Sequence, residues 1–398
     1  MVFYQIFNYS FLERKALYRW LDRYIGIILL FILTLFFKRK RTIPTGNIQN
    51  ILLVKFAAIG DVLIMIPMLR LLKKTYPGVT ITFACTDIDY DMVKRIKYVD
   101  RIINYNIYNF LTRPFELIKY IKEVRDTEYD IIIDAEQWSR IDPILCIFFK
   151  KRYTIGFRTK KQFKHIYFDS TTEFSRNRHA IDSFFALLEF IGITAEESDK
   201  ILEYDLAEEH LGFAEKFWNE NKLHSKYVIC FQPSVGTNNF AREWKPEYFI
   251  ELGRLLVNYS DKIFILITGI KKDYLKGEII AKGIGKNVIN IAGKFSFDQD
   301  MAIIKRSDLM ICGNTGILHL AASVGTKTIG LHGPNNPEIW GAYDPNAVVI
   351  KSDIYCSPCL FIGHDFGCKN PICMDKIKPD DVYITVRKIL KEISFSPV

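Results

Sequence analysis

No G-x-G-x-x-G fingerprint follows the first predicted strand of this 398-residue chain. The turn there reads Ala57-Ala-Ile-Gly-Asp61. That argues against a nicotinamide-dependent dehydrogenase, which would otherwise suit an alternating β/α pattern. Cysteine is sparse outside one short stretch. Cys85, Cys146, Cys230 and Cys312 sit singly in apolar runs and read as buried thiols, so no disulfide framework of a secreted chain is present and a reducing compartment is expected. The uncharged run near the N-terminus, Tyr24–Phe37, is short for a membrane span. Its fourteen residues make roughly 21 Å of helix against a hydrocarbon core of ~30 Å. No small-residue cleavage site follows it, which excludes a signal peptide. No DNA- or RNA-binding signature accompanies the net charge of +9, so nucleic acid is not the expected partner.

What is present points to a two-domain globular protein. The length suits two cores, and the 25% charged and 49% hydrophobic residues are ordinary for a folded chain. Basic residues flank the uncharged run: Arg14, Lys15, Arg19 and Arg23 before it, Lys38–Arg41 after it. Such a segment (1–47) suits a helix lying at an anionic membrane surface; a tilted span or a helix docked on the protein's own core are the other readings. Because the basic cluster leads straight into the rest of the chain, the expected location is the cytoplasmic face of the inner membrane.

From Ile48 the pattern alternates between strand and helix. Asn50–Phe56, Val79–Ala84, Tyr129–Asp134 and Tyr153–Phe157 read as buried parallel strands, and Val62–Lys74 carries apolar residues at helical spacing. A second series has strands at Tyr227–Phe231, Lys262–Ile267, Val288–Ile291, Leu309–Cys312 and Thr326–Leu331. The polar run Asn221–Lys226 separates the two series. The expected fold is α/β, with two doubly wound, Rossmann-like domains (48–222 and 223–398) facing across a cleft. Ligands should bind at the carboxyl ends of the strands.

Three motifs fall at such ends, and a cysteine cluster follows further along the chain. Gly60-Asp61 follows the first strand, where Asp61 either caps a helix or presents a carboxylate that can take a proton. Ser234, Gly236 and Arg242 follow the strand Tyr227–Phe231 and suit a diphosphate: hydroxyl and backbone donors beside a bidentate cation. Gly313-Asn-Thr-Gly316 is a turn before a small-residue helix, with Asn314 or Thr315 a cap or the helix end an anion site. His319 on that helix is either a core histidine or a donor to ligand. Cys356, Cys359, Cys368 and Cys373 have the count for a structural four-thiolate zinc site, or form a thiol-rich loop.

Together these stretches resemble glycosyltransferase family 9, the heptosyltransferases of lipopolysaccharide core assembly. The matching pieces are Ile51–Val62, Gln232–Gly236 with Arg242-Glu-Trp244, Gly313–Ala322 and Gly333-Pro334. The resemblance implies a GT-B fold and an inverting transferase that needs no metal for chemistry. Asp61 would be the general base. Arg242, Thr315, Gly316 and His319 would meet a nucleotide-sugar donor such as ADP-heptose, and Phe295 would lie near the nucleotide base. The acceptor would be a lipid-linked or oligosaccharide cell-envelope glycan. Asn314 departs from the aspartate usual in the family. The alternative reading is an inactive, membrane-bound nucleotide-sugar-binding or assembly protein.

Overall fold

The structure, a computed structural model, describes residues 18, 20–37, 41–44, 46–56, 58–87, 89–106, 113–235, 240–361, 368, 370–393 and 395. The chain separates into two compact units, Met1–Lys200 and Ile201–Val398.

The first unit is built on a six-stranded sheet: β1 (Asn50–Val54), β2 (Thr80–Cys85), β3 (Arg101–Asn104), β4 (Tyr129–Asp134), β5 (Lys151–Arg158) and β6 (Ser170–Glu173). Its order is β3-β2-β1-β4-β5-β6, with every pairing parallel. Ile51 to Val54 and all of β4 are buried, as central strands covered on both faces must be. The direction of winding reverses at β1, which has β2 on one side and β4 on the other. In register, Val54 lies opposite Asp134. The crevice at that switch point, beyond the carboxyl ends of β1 and β4, is where an open parallel sheet offers a site.

The second unit repeats the plan with β7 (Tyr227–Gln232), β8 (Ile263–Ile267), β9 (Val288–Asn290), β10 (Leu309–Gly313), β11 (Lys327–His332) and β12 (Val348–Lys351). The order is β12-β11-β10-β7-β8-β9, so the winding reverses between β7 and β10, where Gln232 lies opposite Cys312. Trp244 and Phe249 anchor its core, and the Trp244 indole N–H donates to the Ile377 carbonyl at 2.8 Å. The C-terminal helix Pro379–Glu392 thereby closes over the helix Pro246–Tyr259.

The division at Lys200/Ile201 comes one helix earlier than the junction expected after residue 222. The helix Glu208–Asn221 packs on Phe297–Arg306 of the second unit, and Phe213 and Phe217 on it meet Phe295 edge to face. The expected strands are all present. Three more, β3, β6 and β12, lie at sheet edges, where one side is open and the sequence need not be apolar.

Before β1, a π-helical turn Leu21–Gly26 runs into the helix α1 (Ile27–Phe37). Leu30 and Gly26 are buried against the first unit. Asp22 accepts hydrogen bonds from the backbone N–H groups of Arg140 (2.7 Å) and Ile141 (3.0 Å) and pairs with the Arg140 guanidinium at 3.2 Å. A carboxylate is thus placed at the N-terminal end of the helix Ile141–Ile147, where the helix dipole favours it. Ile28, Phe31, Ile32, Leu35 and Phe36 remain exposed. Among the described residues, no helix is long and apolar enough to cross a membrane.

Candidate active site

The chain leaves β1 through Lys55 and Phe56 and enters the helix Ile59–Thr75, with Gly60 and Asp61 in its first turn. Asp61 is not the cap of that helix. The N-cap position is Ala58, held at φ 80°, and no side chain closes it. The Asp61 carboxylate is instead buried and tied to two other elements. Its Oδ2 lies 2.9 Å from the Lys55 ammonium and accepts from the Gln137 amide at 2.9 Å. Lys55 also donates to Glu136 Oε2 (3.2 Å) and Gln137 Oε1 (2.8 Å). Glu136 and Gln137 come from the loop just beyond β4, so the network spans the switch point of the sheet.

This end of the sheet is acidic and largely buried. Burial alone would lower the Lys55 pKa, but the charges of Asp61 and Glu136 more than offset it and the ammonium is held on. Asp89, fully buried with neither carboxyl oxygen hydrogen-bonded, is pushed up to about 7 by burial; Lys55 lowers it, while Glu136 and Asp61 raise it further. Behind the loop, Lys164 donates to Asp134 (3.0 Å) and to the Glu136 carbonyl (2.6 Å) and lies 3.5 Å from Asp142. Lys55, Glu136, Gln137 and Asp89 were not identified from the sequence. A signal was present: Lys55 ends an otherwise apolar central strand, and a buried ammonium must find anions.

The corresponding end of the second sheet is neutral except for one cation. Ser234 follows β7 and is buried, and its hydroxyl has no partner. Thr315 occupies the N-cap position of the helix Gly316–Ser323, yet its hydroxyl makes no capping bond and is likewise unpartnered. The two motifs are brought together by strand pairing of β7 with β10 and by the close approach of Gly313, where a Cβ would lie 3.2 Å from the Arg242 carbonyl and 3.3 Å from Val235. Arg242 donates to the Asn314 carbonyl at 3.5 Å. Gly316 opens the helix, and His319 is buried on it. Gly236 lies outside the described residues.

Asn314 is buried, and its amide donates to the Trp340 carbonyl (2.7 Å) and lies 3.1 Å from His332 Nδ1. Burial, then the charge of Arg242, pushes His332 down to about 4, so the ring is neutral at pH 7 and can accept from Asn314. An aspartate could not donate to the Trp340 carbonyl. The Asn314 amide is therefore used within this chain as a donor to the Trp340 carbonyl.

Two predicted groups stand apart. Phe295 packs edge-on against Phe213 (5.1 Å between centroids) and Phe217 (5.7 Å). The three rings line a cavity of about 210 Å³ with Lys216, Glu220 and Asn221. Of the four clustered cysteines, Cys373 is buried while Cys356, Cys359 and Cys368 are exposed. Burial pushes the Cys373 thiol up to about 11, and the other three thiols are near enough to raise it further. Among the described residues, however, no three His, Cys, Asp or Glu side chains gather as a metal shell would require.

Comparison with known proteins agrees with this architecture. The chain is 21% identical to the lipopolysaccharide core heptosyltransferase OpsX of Haemophilus influenzae over 291 residues, 73% of this chain and 80% of that one. It superposes on a family 9 glycosyltransferase of Veillonella parvula with a TM-score of 0.70 at 21% identity, covering 89% of this chain and all of that one. The ADP-heptose lipopolysaccharide heptosyltransferase II of E. coli matches with a TM-score of 0.67 at 18% identity, covering 87% and 100%. At such identities the structural likeness concerns the fold. The sequence model of glycosyltransferase family 9 (heptosyltransferase) matches residues 117–369, more than half of the chain and across both sheets. This protein therefore belongs to glycosyltransferase family 9 and is a glycosyltransferase.

Proposed function

We propose that this enzyme is an inverting GT-B transferase that moves a heptose or related sugar from a nucleotide-sugar donor to a lipopolysaccharide-core or other cell-envelope glycan. The observation that carries the donor half is the pair of buried, unpartnered hydroxyls, Ser234 and Thr315, beside Arg242 and the N-terminus of Gly316–Ser323. Buried hydroxyls without partners are costly unless a ligand completes them. Two hydroxyls, a guanidinium and a helix N-terminus suit a diphosphate. The name of the E. coli relative, which includes ADP-heptose, supports that donor.

In this reading the acceptor hydroxyl attacks the anomeric carbon as the bond from that carbon to the diphosphate oxygen breaks. Asp61 takes the hydroxyl proton, and the nucleoside diphosphate leaves with the bonding electrons. Arg242 and the helix end stabilise the charge that grows on the leaving group. We place the acceptor on the first unit and the donor on the second. The exposed apolar face of α1, flanked by basic residues, would rest on an anionic membrane surface at the cytoplasmic side and bring the enzyme to a lipid-borne acceptor.

Thermal-shift titration of the full chain with ADP-, GDP-, UDP- and dTDP-sugars tests the donor reading. A concentration-dependent stabilisation by ADP-heptose is expected, and no response to any of the four would sink it. Co-sedimentation with anionic vesicles, compared with neutral ones, tests the membrane reading; equal recovery in the supernatant of both would remove it.

A further inference from the structure

The Lys55 ammonium has three N–H donors, and the structure supplies three acceptors: Asp61 Oδ2 at 2.9 Å, Glu136 Oε2 at 3.2 Å and Gln137 Oε1 at 2.8 Å. Gln137 turns back through its own amide to donate to the same Asp61 Oδ2 at 2.9 Å. Lys55, Gln137 and Asp61 thus form a closed ring of hydrogen bonds. Both donors reach Oδ2; among the described contacts none reaches Oδ1.

We propose that Lys55 and Gln137 are positioning residues for the general base, clamping one oxygen of Asp61 so that the other faces the acceptor hydroxyl. The proposal deepens the functional reading above and rests on Asp61 being the base.

The ring is rigid for reasons visible around it. Lys55 sits one residue past β1 and is fully buried, with no alternative partner in water. Gln137 is carried by a loop that is itself pinned. Asp134 Oδ1 accepts from the Glu136 N–H at 3.0 Å, and Lys164 holds both Asp134 and the Glu136 carbonyl. Glu136 Oε2 also accepts from the Phe56 N–H at 3.2 Å, which ties the β4 loop back to the β1 turn. Backbone, charge and side-chain amide therefore all fix one geometry, as a catalytic carboxylate requires.

The charges facing Asp61 come from three elements. Lys55 comes from the end of β1, Glu136 from the end of β4 and Asp89 from the loop after β2. Three carboxyl groups crowd one ammonium. Glu136 is shared with Lys164, whereas Asp61 pairs with Lys55.

The test uses the full-length protein, with ADP-heptose and extracted lipopolysaccharide core as substrates and release of ADP as the readout. Lys55→Met combined with Glu136→Gln removes one charge of each sign, so the buried site stays balanced. Its kcat should fall ~10²-fold or more. Its KM for ADP-heptose should stay unchanged. Gln137→Met keeps the charges and loses only the clamp. A fall in kcat of about 10-fold with an unchanged KM for ADP-heptose is expected.

A cooperative melt for each variant shows that it is folded. Folded variants with wild-type kcat overturn the proposal. So does a lowered melting temperature with wild-type kcat, which is the mark of a purely structural role. Asp61→Asn is measured alongside. Full turnover in that variant defeats the base reading itself, whereas an inactive Asp61→Asn beside normal Lys55 and Gln137 variants defeats only the positioning.

Discussion

The two units share a strand order and place their sites at the same topological point, yet those sites are electrostatic opposites. At the end of β1 and β4, buried carboxyl groups are gathered around ammonium groups and nearly every donor is spent inside the protein. At the end of β7 and β10, hydroxyls, an amide and a neutral imidazole stand near one guanidinium, and several polar atoms have no protein partner. The first arrangement is built to hold a carboxylate in place and suits proton removal. The second is built to be completed by an anion. One sheet topology supports both because the chemistry lies in the loops beyond the strands, which the β/α scaffold leaves free to vary.

The contrast can be broken by substitution. Asp61→Ala should reduce transfer by ~10²–10⁴-fold while ADP still binds. Rate assays beside calorimetric titration check this, and normal turnover would remove Asp61 from the mechanism. A smaller effect is expected on stability at the same end of the molecule. Burial holds Asp89 up to about 7, from an ordinary 3.8. Between those values the unfolded chain has lost the proton and the folded chain keeps it, so this group makes stability fall as pH rises from about 4 to about 7, then level off. Asp89→Asn removes that slope and should stabilise the protein at pH ~8 by up to about 4 kcal/mol. Denaturant melts at acidic and alkaline pH read it, and an unchanged pH dependence would show that Asp89 is ionised in the folded chain.

At the neutral end, Arg242→Ala should weaken ADP binding by ~1.5–3 kcal/mol, as expected for the loss of charge-assisted hydrogen bonds. An unchanged titration would count against the diphosphate cradle. The mildest substitution is the most discriminating. Ser234→Ala deletes a hydroxyl that has no protein partner, so stability should stay within about 0.5 kcal/mol. ADP affinity should fall by ~0.5–1.5 kcal/mol. Lost stability with unaltered ADP affinity would make Ser234 structural and erase the contrast between the two ends.

Legibility in the sequence followed burial. Central strands such as Ile51–Val54 and Leu309–Cys312 are apolar because both faces are covered, and they could be placed closely. β6, with Ser170-Thr-Thr-Glu173, has an open side and leaves almost no apolar signal. The expected junction fell at the polar run 221–226. Whether the preceding helix belongs to one unit or the other depends on which surface its Phe217 and Trp218 meet. Among the site residues, Asp61, Ser234, Arg242 and Thr315 were marked by glycine turns after strands. Glu136 and Gln137 follow a strand with no such turn motif and gain their meaning only from Lys55, about eighty residues earlier in the chain.

The sequence by itself determined the alternating β/α plan, the two-unit organisation and the stretches that reach the carboxyl ends of strands. Each of these rests on local periodicity, turn chemistry or a motif of contiguous residues. Only the tertiary structure decided which partners those residues meet there: that Asp61 contacts Lys55 and Gln137 and is not the cap of its helix, that the Thr315 hydroxyl makes no capping bond, and that Asn314 is tied to Trp340 and His332. Parallel pairing places distant loops side by side, and the partners of a buried polar group are fixed by that pairing, which no local pattern records.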